Sequence, residues 1–141
     1  MKFSILVFSL IFSGQFLACN KVQNFEEFLS LYRADRGFQF DHVIEPFEVV
    51  VAKGEYDGKS WDETSFLTLE EIKEKDFGLY AKPKIIDEYN YVEIIEDEGE
   101  GVFSVTIGPE NSSSVVIFYF KLNDDCWRAF RFRDIWTIHA S

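Results

Sequence analysis

The chain has 141 residues and a formal net charge of −11, from 25 acidic and 14 basic side chains. A surface this acidic excludes nucleic acid and anionic lipid head groups as charge-bound partners, because both demand a basic face. Phenylalanine is abundant at 16 residues, so aromatic rings must carry much of the packing.

Met1 and Lys2 form a short positive segment, an apolar run covers 3–12, and Ser13, Gly14 and Gln15 then interrupt it. That order is the layout of a secretory signal. A bilayer-spanning helix needs about 20 apolar residues, so a permanent transmembrane anchor is not expected. Ala18-Cys19 places a thiol directly after a small residue. The arrangement resembles the lipobox of bacterial lipoproteins, in which the leader is cut before the cysteine and the thiol receives diacylglycerol. Residues 1–18 are therefore expected as a signal peptide, Cys19 as the lipid-attachment residue, 20–24 as a tether and 25–141 as a single domain. The alternative is a secreted protein cut after Ala18 without lipid. Asn20 follows the cysteine, which by analogy with Gram-negative sorting directs the protein to the outer membrane or cell surface.

Two cysteines are present, Cys19 and Cys126. With Cys19 acylated, Cys126 is expected as a buried core thiol beside Trp127. A Cys19–Cys126 disulfide requires that lipidation not occur.

Asn24 with Glu27 three residues on is a reciprocal capping pattern, and Phe25, Phe28, Leu29 and Tyr32 repeat with helical spacing. These predict a helix of about three turns that stops at Gly37. From Phe38 the chain reads as extended, divided by Pro46 before the β-branched run Val49-Val50-Val51. Asp57-Gly58 marks a tight turn within 54–60. Thr68 to Glu71 repeats the capping pattern and predicts a short second helix ending before Gly78. Strands follow at 85–95, 102–107, 115–122 and 127–138, separated by short turn-forming segments, which predicts an antiparallel meander. Val116, Phe118 and Phe120 share one face of the third of these strands, and Ile117 and Tyr119 the other. Both faces are apolar, so this strand is expected to be central and covered on both sides.

A helix needing a sheet to bury its aromatic stripe, followed by a C-terminal β-meander, is an α+β architecture with a curved antiparallel sheet. Phe25-x-x-Phe28-Leu29, Asp35-x-x-Phe38-Gln39, Pro46, Trp127 and Asp134 resemble small bacterial lipoproteins of unknown function. Those have a nuclear-transport-factor-2-like (NTF2-like) cone fold. The resemblance implies a fold more than an activity, since that cone hosts enzymes, ligand binders and partner-binding modules alike.

Few residues point to chemistry. His42 and His139 lack partners at metal-ligand spacing, so neither a zinc site nor any cofactor is expected. Asp41-His42 offers a base with a neighbouring carboxylate, but adjacent strand residues face opposite ways and His42 is expected at the surface or rim. Glu96-Asp97-Glu98-Gly99-Glu100 is an oxygen-rich run that reads as a solvated hairpin tip rather than a calcium loop. Arg128, Arg131 and Arg133 are the densest basic cluster. Arg131 and Arg133 share a strand face, where they could hold a ligand carboxylate or phosphate, or pair with acids such as Glu93 or Asp87. Tyr89, Tyr91, Tyr119, Trp127 and Trp136 could line an apolar pocket or simply pack the core.

These features converge on an envelope protein held to the membrane through the Cys19 lipid, binding a protein partner or small ligand without catalysis. The competing reading is a small enzyme using a carboxylate or His42 as general base in an aromatic-lined pocket.

Overall fold

The computed structural model describes residues 24–135 except Tyr56. The leader, Cys19, Trp136 and His139 lie outside the described residues. Helix α1 spans Phe25–Ala34, and its Asn24 cap accepts the Glu27 amide at 2.8 Å. The predicted stop at Gly37 is displaced: α1 ends at Ala34 and a second helix, α2, runs Arg36–Asp41 through the glycine. Asp35 restarts the helix by accepting the Phe38 amide at 2.9 Å. Gly37 suits this tight junction, since a Cβ there would lie 3.1 Å from the Asp35 carboxylate.

Strand β1 runs Val43–Gly54 and passes through a cis Glu45–Pro46 bond. It turns back into β2, Ser60–Leu67, an edge strand whose residues are all exposed save Leu67. Thr68 then caps α3, Leu69–Glu74, with the full reciprocal box formed to Glu71. The expected strand beginning at Ile85 is corrected. Pro83 opens a further helix, α4, Pro83–Glu88, because its fixed φ suits a first helical turn, and this outweighs the β-branching of Ile85 and Ile86.

The meander follows as β3 Tyr91–Gly99, β4 Val102–Pro109, β5 Val116–Asn123 and β6 Cys126–Asp134. The six strands form one unclosed, curved sheet in the order β2-β1-β6-β5-β4-β3, with register shifts at three of its pairings. All neighbours are antiparallel except β1 and β6, which pair in parallel because helices and strands intervene between them. Strand β5 is central as expected, with Phe118 and Phe120 buried, but Ile117 and Tyr119 on its other face are half-exposed. No helix among the described residues is long and apolar enough to cross a membrane.

α1 presses Phe25, Phe28, Leu29 and Tyr32 against this sheet, each at most 5% exposed. The rings interlock edge to face: Phe28 meets Phe120 with centroids 5.6 Å apart, and Tyr32 meets Phe120 at 5.1 Å. Phe25 stacks on Phe103 at 4.5 Å and meets Trp127 at 5.2 Å. Cys126 is buried beside Trp127, as expected, but it is disulfide-bonded rather than a thiol.

Candidate functional site

The residues singled out from sequence do not converge. Arg131 and Arg133 do share a face of β6, yet each is engaged by an acid from a neighbouring strand. Arg131 bonds Glu48 on β1, and Arg133 lies 3.3 Å from Asp62 on β2. Cross-strand pairing therefore takes these guanidiniums, with Glu48 and Asp62 in place of Glu93 and Asp87. Trp127 is 7% exposed and packs in the core, on the opposite side of the sheet. Tyr89 is 59% exposed and stacks on Tyr91, with centroids 5.7 Å apart, at the α4–β3 corner.

His42 is not at the rim. It is 3% exposed, its ring stacked on Phe38 at 3.9 Å, and its Nδ1 bonds the Phe38 carbonyl at 2.7 Å. A carbonyl only accepts, so Nδ1 carries the proton. Asp41 faces solvent while His42 is buried. The acidic run lies at the β3–β4 turn, where Glu98 accepts from Ser104 Oγ at 2.5 Å. No group of three or more metal-ligating side chains gathers among the described residues.

Phenylalanine rings fill the space that an apolar pocket would need. Phe28, Phe47, Phe118 and Phe120 occupy the concave side of the sheet, all 3% exposed or less. Open space lies at the helix rim instead. A cleft of about 300 Å³ is lined by Arg33, Arg36, Gln39, Asp76, Tyr80 and Lys82, among others.

This cleft is built from distant parts of the chain. Arg33 occupies the last turn of α1, where a cation complements the helix dipole, and Arg36 the first turn of α2. The loop of residues 76–82 closes the other side. Tyr32 fastens that loop by donating its hydroxyl to the Leu79 carbonyl at 3.1 Å, and Arg36 Nη2 donates to the Phe77 carbonyl at 2.6 Å. Gln39, 7% exposed, donates to the Tyr32 carbonyl at 2.8 Å and accepts from Arg36 Nη1 at 3.3 Å. Arg36 also lies over the Phe40 ring, 4.6 Å from its centroid.

Glu93 on β3 backs the cleft. One of its oxygens accepts from Arg33 Nε at 3.0 Å, Arg33 Nη2 at 2.6 Å and the Tyr80 hydroxyl at 2.5 Å. Burial pushes the Tyr80 hydroxyl well above its ordinary pKa, and the Glu93 carboxylate adds to this, so the phenol is a neutral donor at any physiological pH. Burial raises the Tyr32 pKa further still, against a smaller opposing influence from Arg36. For Arg33, burial opposes the charge, but Tyr80 and Glu93 outweigh it and the pKa is raised.

The sequence reading missed this site because its parts lie up to 60 residues apart. The available signal was the Arg33/Arg36 pair in a chain short of cations.

No protein-family model and no curated protein matches the sequence. Among solved structures, the chain is similar to an NTF2-like protein from Bacteroides fragilis, with 17% identity and a TM-score of 0.53. The match covers 82% of this chain and 48% of that one, so this chain spans about half the length of its structural neighbour. Helices packed on the concave side of a curved, unclosed, mostly antiparallel sheet, together with this likeness, show that the chain has the nuclear-transport-factor-2-like (NTF2-like) fold.

Proposed function

We propose that the chain is an exported, lipid-anchored bacterial envelope protein whose NTF2-like domain binds a small ligand or protein partner and does not catalyse. The export half rests on residues 1–18 and on the Ala18-Cys19 junction. The observation that carries the binding half is the filled cone. Phe28, Phe47, Phe118 and Phe120 occupy the space in which an enzyme of this shape would hold substrate against a base, while the pre-ordered polar cleft at the rim is open. Asn20 after the cysteine favours the outer membrane, on its periplasmic face or at the cell surface, in a Gram-negative host.

One observation favours a second reading, an exported protein without lipid. Cys126 is disulfide-bonded, and Cys19 is the only other cysteine in the sequence. Within one chain, the same Cys19 sulfur cannot form both a disulfide and a thioether to diacylglycerol. Oxidising compartments outside the cytoplasm allow the disulfide. Fractionation separates the two readings. The lipid anchor predicts that the wild-type protein pellets with membranes and is released by detergent, whereas Cys19→Ala moves to the soluble fraction. A wild-type protein that is soluble without detergent overturns the anchor.

A further inference from the structure

We propose that the cleft between α1, α2 and the 76–82 loop binds a small anion, whose phosphate or carboxylate is held by Arg33, Arg36 and Lys82. This deepens the ligand-binding reading above and rests on it.

The argument begins with charge. Three of the 14 basic side chains line one cleft in a protein of net charge −11. Two carboxylates stand near them. Asp76, 3.5 Å from Arg36, is 96% exposed and therefore strongly screened by water. Glu93 directs a single oxygen at Arg33 and Tyr80.

The donors are only partly used. Arg33 engages Glu93 through Nε and Nη2, leaving Nη1, and Arg36 uses Nη1 and Nη2 on Gln39 and Phe77, leaving Nε. Lys82 forms no ion pair among the described residues. Both guanidiniums are already fixed, Arg33 by Glu93 and Arg36 by the Phe77 carbonyl and the Phe40 ring. Fixed donors lose little further freedom when a ligand arrives. The Arg33 Nη1 amino group, the Arg36 Nε–H and the Lys82 ammonium come from three separate side chains, an array that suits a compact anion with several acceptor oxygens. A cleft of about 300 Å³ lies at the small end of ligand sites, which favours a metabolite-sized molecule over a polymer.

The test is an amide NMR titration of the intact mature protein with inorganic phosphate and, separately, succinate, each against sodium chloride at matched ionic strength. We expect saturable shifts confined to residues 33–39 and 76–82, with a Kd on the order of 1 mM for the preferred anion. Arg36→Gln with Lys82→Gln should weaken binding at least about tenfold, the loss expected on removing charge-assisted hydrogen bonds. Lys82→Gln alone, at an exposed position, keeps the test open where the double variant folds poorly, and should weaken binding by roughly threefold or more. The phosphate and succinate arms show which anion class the cleft prefers. Shifts equal to those in chloride, or an affinity unchanged in the folded variants, overturn the proposal. That failure is separable from failure of the binding reading, because pull-down of a protein partner from detergent-solubilised membranes with the same protein is read independently of anion titration.

Discussion

Replacing Phe28 with alanine should destabilise the domain by about 3–5 kcal/mol, the range for deleting a buried aromatic ring. Phe28 is 1% exposed and touches the rings of Phe25, Tyr32, Phe38, His42 and Phe120. No single neighbour can move into the vacated space without leaving its own contacts, so the cavity persists and adds to the lost transfer energy. A domain of this size has a total stability of about 5–15 kcal/mol, so the variant should be near unfolding at 37 °C. With a urea slope of about 2 kcal/mol per molar, the midpoint should fall by roughly 2 M. Leu31→Ala serves as control on the same helix, because Leu31 is 48% exposed and should cost under about 1 kcal/mol. A loss at Phe28 no larger than that at Leu31 would contradict the aromatic core as the main source of stability.

Glu93→Ala should cost about 2–3 kcal/mol, although Glu93 lies in the meander and its partners belong to a helix and a loop. The substitution leaves the buried Tyr80 hydroxyl and the half-buried Arg33 guanidinium without their acceptor. The pair's side-chain exposures of 30% and 21% place it between a surface ion pair, worth little, and a buried one, whose breakage is severe. Glu93→Gln retains an oxygen for Tyr80 and Arg33 and should lose only about 1 kcal/mol. A double-mutant cycle with Tyr80→Phe isolates the coupling, expected near 1 kcal/mol. Additive effects in that cycle would show that the shared carboxylate oxygen does not join loop to strand.

Where the sequence was legible, local chemistry and tertiary packing agreed. Asn24 with Glu27, and Thr68 with Glu71, form the caps they predict, and the Phe25-Phe28-Leu29-Tyr32 stripe faces the sheet. The meander was legible from turn spacing and apolar runs, and the NTF2-like cone only through the resemblance carried by Phe25-x-x-Phe28-Leu29, Asp35-x-x-Phe38-Gln39, Pro46, Trp127 and Asp134. Three elements were not. Gly37 reads as a helix end, but Asp35 recaps the chain and carries it on as α2. Ile85-Ile86 reads as strand, but Pro83 fixes the preceding backbone for a helix. Strand β2 is concealed because its residues are almost wholly exposed and carry no apolar alternation. The cleft escaped for a different reason. Arg33, Arg36, Tyr80 and Glu93 meet only after α1, the 76–82 loop and β3 have packed, so no local spacing announces them. Arg131 and Arg133 were conspicuous in sequence, yet their strand neighbours Glu48 and Asp62 use them as structural pairs.

The central claim is the fate of Cys19, and intact mass spectrometry of the detergent-extracted mature protein tests it most directly. Lipid anchoring predicts a chain lacking residues 1–18 and heavier than the bare polypeptide by a diacylglyceryl group, an increment absent from Cys19→Ala. A wild-type mass without the diacylglyceryl increment would contradict the anchor, and a mass lower than the fully reduced polypeptide by the hydrogens of a disulfide, restored on treatment with a thiol, would establish the Cys126 linkage in its place.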